Sequence, residues 1–342
     1  MAHQTTRRSF LHTAAGAATV AALADQVLAS TSDPSAAGVP TRKLGRTGEQ
    51  VSMLCLGGWH LGAVEDERDA IRLVQTAVDE GVTFLDNAWD YHDGRSEELM
   101  GKALAQDGYR KKAFLMTKNC ERDYEGSRKC LEDSLRRLQT DVIDLWQFHE
   151  MVYDNDPDWV FEKGAMKAAL EARQQGKVRY IGFTGHKDPR IHLKMLDKPF
   201  DWDTAQMPIN VLDAKYRSFQ NEVVPVCLKK NVGVVGMKGL GGGGTGAGII
   251  PAATGLTPAE CYRYALSLPV STQVVGVTTL DHLKQAIDLA RSFKPMSENE
   301  RTALVGRVAT EAGDGRFERF KSTQAFDGPF HRAQHGFAQQ RS

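Results

Sequence analysis

Four polar residues in this sequence could together donate a proton. Asp86 and Tyr91 lie within the segment "LDNAWDYHDG". Lys118 ends the run "AFLMTK", and His149 ends "VIDLWQFH". A phenol, with a pKa of about 10, is protonated at neutral pH but is a weak acid. A neighbouring ammonium stabilises the phenolate, a carboxylate keeps that ammonium charged, and a histidine completes the hydrogen bonding to the reacting oxygen. Singly, each residue has an ordinary explanation, such as a helix cap or a surface ring, so this chemistry needs a fold that brings them together.

Eight apolar runs that alternate with helical patterns predict such a fold. The runs cover residues 51–58, 82–88, 113–118, 142–149, 178–185, 203–210, 232–239 and 272–277. Helical windows such as 67–81 and 126–139 place apolar side chains on one face. Because parallel strands need long crossovers, this order predicts a parallel sheet. Eight units over about 240 residues match a (β/α)8 TIM barrel of the α/β class, which typically takes about 250 residues.

The main alternative is an open, doubly wound sheet. The first run is followed by "GGWHLG", which lacks the Gly-x-Gly-x-x-Gly spacing of a dinucleotide-binding crevice. In a barrel, polar residues just past the carboxyl end of each strand converge on one mouth. The residues at those positions are Gly58, Trp59, Asp86, Tyr91, Lys118, His149, Thr184, Gln206, Asn210, Met237, Lys238 and Thr278. The barrel therefore predicts a single site made from scattered residues.

The composition favours a globular protein that acts on small molecules. Of the 342 residues, 41% are hydrophobic and 25% are charged, which fits a compact chain with an ample core. Lysine plus arginine and aspartate plus glutamate both number 43, so no net charge attracts nucleic acid or an anionic membrane. The five cysteines are scattered, without a CxxC pair or a Cys/His cluster, so we expect no metal site.

The beginning of the chain has the pattern of an export signal. "TTRRSFLHTAAGAATVAALA" contains the pair Arg7 and Arg8 before an alanine-rich stretch, and it resembles a twin-arginine signal. The apolar stretch is shorter than the roughly 20 residues of a spanning helix, so we expect a removed signal and no stable membrane insertion. Cleavage is expected after Ala24 or Ala29. The twin-arginine translocase is thus an expected partner, which would export the folded chain to the periplasm or another extracytoplasmic compartment.

These features predict four consecutive parts. They are a signal peptide at residues 1–30, a linker at 31–40, a barrel at 41–312 and a tail at 313–342. The linker "TSDPSAAGVP" has the Ser, Pro, Gly and Ala content of such segments. Phe326 and Phe330 in the tail are consistent with either a substrate lid or a disordered end.

The polar residues and their surroundings resemble a known enzyme family. "DNAWDY" at 86–91, followed by "SEE" at 96–98, resembles the Asp-Thr-Ala-x-x-Tyr-Gly-x-Ser-Glu segment of aldo-keto reductases. "FLMTK" resembles their lysine strand, "DVIDLWQFH" their Asp-Leu-x-x-x-His strand, and "RKLGRTGEQVSMLCLGG" their hairpin and first strand. Order and spacing agree from Arg42 to about Arg291. The resemblance implies the same barrel, with an N-terminal β-hairpin cap and a C-terminal extension.

The resemblance also implies an enzyme that transfers hydride between a nicotinamide cofactor and a small carbonyl or alcohol. Tyr91 would donate the proton and His149 would orient the carbonyl. Lys118 would tune Tyr91, and Asp86 would anchor Lys118. The alternative is a nicotinamide-binding barrel that serves as a redox sensor or regulatory subunit with little turnover. A barrel hydrolase is disfavoured because it leaves the tyrosine and the lysine without a role.

Cofactor and substrate positions follow from the same resemblance. NADP is the expected cofactor, with NAD as the alternative. The expected cofactor-binding residues are Gly58, Trp59, Asp86, Thr184, Gln206, Met237, Lys238, Gly239, Leu240, Gly241, Thr278, Thr279, His282 and Gln285. The expected substrate-pocket residues are Trp59, Trp89, Tyr91 and His149.

Three positions depart from the family pattern. Gly185 stands in place of an asparagine, and Met237 in place of an aromatic ring. His282 stands where an arginine often binds the 2′-phosphate, and a neutral histidine binds phosphate poorly, so NADP is only the family default. The glycine run at 239–248 is either a phosphate-binding loop or a flexible linker. The helix at 276–290 is expected to receive the adenosine phosphate at its amino terminus.

Overall fold

The structure is a computed structural model that describes residues 22–28, 38–242 and 248–337. The twin-arginine pair, Ala29 and the centre of the glycine run lie outside these described residues. Within the described ranges, no helix is both long enough and apolar enough to cross a membrane.

Eight parallel strands close into a barrel, which confirms the predicted fold. The strands are β3 (Leu54–Gly57), β4 (Phe84–Asp86), β5 (Phe114–Asn119), β6 (Ile143–Phe148), β7 (Val178–Thr184), β8 (Thr204–Pro208), β9 (Gly233–Met237) and β10 (Thr272–Val275). They neighbour one another in chain order, and β10 pairs with β3 to close the sheet. Neighbouring strands end at the same rim, so the residues that follow them meet there.

The predicted hairpin closes the opposite end of the barrel, with one correction. β1 (Thr41–Lys43) and β2 (Gln50–Ser52) pair antiparallel. The predicted strand at 51–58 was wrong in merging β2 with β3. The Ser52 hydroxyl donates to the Leu54 carbonyl at 2.6 Å and accepts from the Phe84 amide at 3.0 Å, which turns the chain at Met53 from the hairpin into the barrel.

Helices surround the barrel and follow its strands. They are α1 (22–28), α2 (Gly58–Gly62), α3 (Glu67–Asp79), α4 (Arg95–Leu104), α5 (Tyr109–Lys112), α6 (Tyr124–Leu138), α7 (Asp156–Glu162), α8 (Ala165–Gln174), α9 (Pro189–Leu196), α10 (Phe219–Glu222), α11 (Val224–Lys229), α12 (Ile249–Thr254), α13 (Pro258–Leu266), α14 (Leu280–Arg291), α15 (Glu298–Arg307), α16 (Arg319–Ser322) and α17 (Pro329–Gln334). The predicted windows at 67–81 and 126–139 are confirmed as α3 and α6. The apolar side chains of α6 at Cys130, Leu131, Leu135 and Leu138 are buried as predicted.

The carboxyl-terminal tail is folded onto the mouth of the barrel. Lys321 of α16 is buried, and its Nζ lies 2.6 Å from Asp213 and 3.0 Å from Glu318. Between the two alternatives for the tail, the structure shows an ordered segment rather than a disordered one. The ring of Phe330 lies 5.4 Å from that of Trp89, so the tail reaches the loop that carries Tyr91.

The short helix α1 contacts the other end of the barrel. Leu23, Ala24 and Val27 pack against the main core. Leu23 and Val27 also line a small cavity with Val232 and Ser271, which directly precede β9 and β10. Residues within the predicted signal therefore touch the folded domain.

Candidate active site

Lys118 lies at the centre of the candidate site. It is the fifth residue of β5, and its side chain is 1% exposed. Its Nζ donates to a carboxylate oxygen of Asp86, at the end of the neighbouring strand β4. It also donates to the Asn87 carbonyl at 2.6 Å and to the Tyr91 hydroxyl at 3.3 Å. Because β4 and β5 are adjacent parallel strands, the residues at their carboxyl ends lie close together.

Tyr91 reaches the lysine from a tight turn at Tyr91–Gly94. His92 and Asp93 adopt left-handed backbone conformations with φ of 51° and 55°, which few non-glycine residues do. Gly94 is also left-handed, and a Cβ there would lie 2.3 Å from the guanidinium of Arg137. This turn takes the place of the glycine that usually follows the tyrosine in the family, and it still directs the Tyr91 hydroxyl to Lys118.

His149 completes the group of four predicted catalytic residues. It directly follows β6 and is 6% exposed. Its ring centroid lies 5.7 Å from that of Tyr91 at an interplanar angle of 81°. The buried guanidinium of Arg122 donates to the His149 carbonyl at 2.5 Å and pairs with Asp156 at 3.0 Å, which fixes the backbone that carries the histidine.

The electrostatic environment keeps Tyr91 protonated. Burial raises the pKa of its phenol well above its usual range, and the charges of Asp86, Asp90 and Glu150 raise it further. The sequence led us to expect the opposite direction from Lys118. The net shift is upward because burial of the phenol is its largest cause and the three carboxylates add to it. Burial raises the pKa of Asp86 as well, although the charge of Lys118 opposes this.

Gln206 and Thr184, two of the predicted cofactor-binding residues, lie side by side in register on β8 and β7. Both are buried, and among the described residues the amide oxygen of Gln206 has no hydrogen-bond partner. An orphaned buried acceptor is rare in proteins and fits the NH₂ group of a carboxamide ligand. The absence of an asparagine at Gly185 also has a steric reason, since a Cβ there would lie 2.3 Å from the Met151 carbonyl oxygen.

Lys238 lies just past β9, next to Met237 and under the tail. Its Nζ lies 5.3 Å from the ring centroid of Phe320 and 5.1 Å from that of Phe326. Burial lowers the pKa of Lys238 to about 8, although Glu150 opposes the shift. The glycine loop begins with a turn in which the Gly241 amide donates to the Lys238 carbonyl at 2.9 Å. Its centre, at 243–247, lies outside the described residues, so the prediction of a phosphate-binding loop stays a prediction.

The remaining predicted cofactor residues lie at the rim or on α14. The Thr279 hydroxyl accepts from the His282 amide at 3.2 Å and so caps α14, while His282 and Gln285 are exposed on that helix. Gly58 has a packing reason to be glycine, since a Cβ there would lie 2.6 Å from the Asp86 carbonyl oxygen. The other predicted residues at the rim are Trp59, Gly239, Leu240 and Thr278.

Trp59 packs against the ring of Tyr91, and Trp89 lies two residues before Tyr91 in the chain. The ring of Trp59 lies edge-on to Tyr91 at 5.5 Å and is half exposed. Trp89 donates from its indole nitrogen to Asp133 at 3.3 Å and packs against Phe330 of the tail. The two indoles are therefore placed to border a substrate next to the phenol.

Several groups at the mouth were not predicted from the sequence. Asp90 directly precedes Tyr91, and Glu150 directly follows His149. Cys120 lies two residues after Lys118, and His186 lies two residues after Thr184. Extending each strand end by two residues would have included all of them. Asp90 Oδ1 lies 3.3 Å from His149 Nδ1, and although burial alone would raise the pKa of Asp90, the charge of His149 holds it well below its usual range.

A family model described as "Aldo/keto reductase family" matches residues 53–247, more than half of the chain. The matched segment includes all four predicted catalytic residues. The chain belongs to the aldo/keto reductase family. Its barrel, hairpin and residue order are those that the resemblance implied.

Individual relatives agree with this assignment. The oxidoreductase YrpG of Bacillus subtilis (strain 168) is 35% identical over 224 residues, which are 58% of this chain and 66% of that protein. The aldo-keto reductase YhdN of the same strain is 31% identical over 192 residues, which are 52% of this chain and 54% of that protein. The chain thus matches about half to two thirds of the length of these curated relatives.

A solved structure shares the fold over a larger part of the chain. The holo form of aldo-keto reductase AKR11C1 from Bacillus halodurans superposes with a TM-score of 0.67 at 24% identity. The match covers 82% of this aldo/keto reductase and 99% of that chain. This likeness extends the shared barrel beyond the segment that the family model matches.

Proposed function

We propose that this aldo/keto reductase transfers hydride between a nicotinamide cofactor and the carbonyl or alcohol group of a small molecule. The observation that carries the proposal is the buried ammonium of Lys118, which donates to both Asp86 and Tyr91. A bound nicotinamide supplies the hydride, and the protein supplies position and charge. A lysine shared between a carboxylate and a phenol at the mouth suits a reaction that needs a proton there.

Tyr91 is the proton donor in this proposal. Its raised pKa keeps the phenol protonated in the resting enzyme. Proton transfer to a substrate oxygen leaves a phenolate, and the Lys118 ammonium 3.3 Å away stabilises that charge as it forms. Asp86 holds the ammonium in place and keeps it charged, so the acid, its stabilising cation and the anchor act as one unit.

His149 and the two indoles position the substrate. His149 lies beside Tyr91 at the mouth, so one of its ring nitrogens can hydrogen-bond the same substrate oxygen. Trp59, half exposed and edge-on to Tyr91, forms one wall of the pocket. Trp89 and Phe330 form the other wall, where the tail closes over the mouth. Aromatic walls of this kind exclude water and favour substrates with apolar substituents.

The cofactor-side residues fit a nicotinamide dinucleotide. The orphaned amide oxygen of Gln206 would accept from the carboxamide of the nicotinamide, with Thr184 beside it. Lys238 would neutralise charge on the pyrophosphate, and the amino terminus of α14 would receive the adenosine phosphate. We propose NADP, the default of the family, as the cofactor. NAD is the alternative because His282 replaces the arginine that often binds the 2′-phosphate.

We also propose that the chain is exported in folded form by the twin-arginine translocase. The pair Arg7 and Arg8, with the alanine-rich stretch after it, supports this proposal. A protein that must bind a dinucleotide before crossing a membrane suits a route that carries folded proteins. Because α1 packs against the barrel, removal of the signal at either predicted site would uncover part of the core.

Turnover tests the proposed activity. The full chain would be assayed with a panel of aldehydes and ketones, with NADPH and with NADH, by the loss of absorbance of the reduced nicotinamide. The proposal predicts multiple turnovers with at least one carbonyl. Tight dinucleotide binding without turnover on any substrate would contradict it and would favour a sensor or regulatory barrel instead.

A further inference from the structure

Four side chains with metal-binding groups meet between the mouth of the barrel and the tail. They are Asp90, Cys120, His149 and His331, and their ligand atoms all lie within 4.8 Å of one another. The first three come from the ends of adjacent strands, and His331 comes from α17. We propose that these four residues form a binding site for a zinc-like divalent ion, which ties the tail to the catalytic histidine.

The distances fit a tetrahedral ion. The Nδ1 atom of His149 lies 3.3 Å from Asp90 Oδ1 and 3.5 Å from Cys120 Sγ. Bonds of about 2.0–2.3 Å place the ligands of a tetrahedral zinc about 3.3–3.8 Å apart. The ring of His331 faces that of His149 edge-on, with centroids 5.2 Å apart. The two distances to His149 Nδ1 are therefore in the range that a bound ion requires, and the ligand atom of His331 lies within 4.8 Å of each of the other three.

Atoms without partners surround the same point. His331 is fully buried, and neither of its ring nitrogens has a hydrogen-bond partner among the described residues. Asp90 Oδ1 is also buried and lacks a partner with hydrogen-bond alignment, even though His149 lies close to it. Buried polar atoms in folded proteins nearly always have a partner. One orphaned ring nitrogen of His331 and the orphaned oxygen of Asp90 can face the same point, which indicates a missing ligand there.

The chemistry of the four groups selects the kind of ion. A thiolate and two imidazoles suit zinc and related transition metals, whereas magnesium and calcium prefer a full set of oxygen ligands. Cys120 is buried, and its thiol is free. Binding converts this thiol to a thiolate and releases its proton to solvent. Four protein ligands complete a tetrahedral shell.

Surrounding hydrogen bonds hold the ligands in place. Arg122 donates to the backbone carbonyls of Cys120 at 3.3 Å and of His149 at 2.5 Å. Gln334 of α17 donates to the Cys120 carbonyl at 3.1 Å, which fastens the helix that carries His331. Such supporting contacts orient metal ligands in known sites and change affinity when they are removed.

The ion would also set the protonation of the catalytic histidine. An ion on Nδ1 of neutral His149 leaves the hydrogen on Nε2, so that nitrogen becomes a donor. A donor is what a substrate carbonyl oxygen requires. This consequence rests on the proposed reductase function, whereas the metal site itself does not, because binding is measured without cofactor or substrate.

The sequence spacing does not indicate this metal site, which becomes visible only in the folded chain. No two of the four ligands lie close enough in sequence to form a metal-binding motif. Three depend on the pairing of β4, β5 and β6, and the fourth depends on the path of the tail. The expectation of no metal site drew on local spacing alone.

Metal binding to the full chain tests this proposal directly. The reduced, chelator-stripped protein would be titrated with zinc chloride against a chromophoric chelator, and separately with cobalt(II). We expect one ion per chain and the absorption band of a cobalt thiolate. Cys120→Ser should abolish that band, and Cys120→Ser and His331→Ala should each weaken zinc binding on the order of 100-fold or more.

Two control variants separate ligation from general damage. Cys130→Ser changes another buried cysteine, and His282→Ala changes an exposed histidine on α14. Both should bind zinc as the unmodified chain does, and circular dichroism would verify that each variant is folded. The cobalt spectrum is measured on the unmodified chain, so no effect of a substitution on folding can alter it. Absence of its thiolate band, or equal zinc affinity in Cys120→Ser and Cys130→Ser, overturns the proposal.

Discussion

The ammonium nitrogen of Lys118 lies 3.3 Å from the hydroxyl oxygen of Tyr91. The same nitrogen donates to Asp86 and to the Asn87 carbonyl. An ammonium has three hydrogens, so all of them have acceptors and its orientation is fixed. The cation that stabilises the phenolate is therefore in position before substrate binds, and proton transfer needs no reorganisation of this group.

Cofactor affinity should depend on pH through Lys238. Its pKa is lowered to about 8, so the side chain is charged below that pH and loses its charge above it. If Lys238 neutralises the pyrophosphate, the KM for the dinucleotide should rise as the pH passes 8. Lys238→Arg should remove this dependence because a guanidinium stays charged. A pH profile of KM that is the same in the arginine variant and the unmodified enzyme would contradict this role.

Gln206 should contribute to cofactor binding and not to stability. Its amide oxygen has no partner among the described residues, so Gln206→Leu removes an unsatisfied acceptor. We expect the variant to bind the dinucleotide about tenfold more weakly, as for one lost hydrogen bond, while its unfolding midpoint does not fall. Fluorescence titration and urea unfolding measure the two quantities.

Gln147→Leu is the matched control for Gln206→Leu. Gln147 is also buried, and its amide oxygen likewise has no partner among the described residues, but its amide nitrogen donates to the Thr204 hydroxyl at 3.0 Å. The control should lose stability and keep its cofactor affinity. If Gln206→Leu behaves in the same way, the orphaned oxygen has only a structural role.

The stability of the folded tail should depend on the buried charge of Lys321. Lys321→Met leaves Asp213 and Glu318 buried without their cation, which typically costs about 3–5 kcal/mol in the free energy of unfolding. Adding Asp213→Asn should recover part of that loss. Lys112→Met removes an exposed pair with Asp79 and should cost less than about 1 kcal/mol. Urea unfolding compares them, and equal effects of Lys321→Met and Lys112→Met would refute the argument.

Export should leave a shortened chain outside the cytoplasm. Mass spectrometry of the periplasmic protein should find a mature amino terminus at Asp25 or Ser30, the residues that follow the two predicted cleavage sites. Replacing Arg7 and Arg8 together by lysine should keep the chain in the cytoplasm. An uncleaved chain that stays in the cytoplasm with its arginine pair intact would contradict the export proposal.

Much of the barrel could be predicted because its signals are local. Each strand is a short apolar run, each crossover has helical spacing, and parallel order follows from chain length. The positions of Asp86, Lys118 and His149 then follow from the rule that strand ends meet. The first strand was misplaced because the bend at Met53 depends on the Ser52 hydroxyl and on Phe84, which no local pattern reports.

The rest of the site depends on contacts between distant parts of the chain. His331 approaches His149 because several contacts hold the tail, among them the ion cluster at Lys321, the contact of Phe330 with Trp89 and the Gln334 hydrogen bond to the Cys120 carbonyl. The direction of the Tyr91 pKa shift depends on the sum of burial and three carboxylates, which the sequence does not quantify. Adding these contributions requires the positions of the charged groups in the folded chain.

The turnover of Tyr91→Phe, with Tyr109→Phe as its control, tests the central claim most directly. Tyr109 is half-buried on α5, and its hydroxyl bonds only Asp79 among the contacts described, at 2.7 Å. We predict that Tyr91→Phe lowers kcat for carbonyl reduction about 100- to 10,000-fold without weakening dinucleotide binding, while Tyr109→Phe leaves kcat unchanged. Unchanged kcat in a folded, dinucleotide-binding Tyr91→Phe variant would contradict the assignment of Tyr91 as the proton donor.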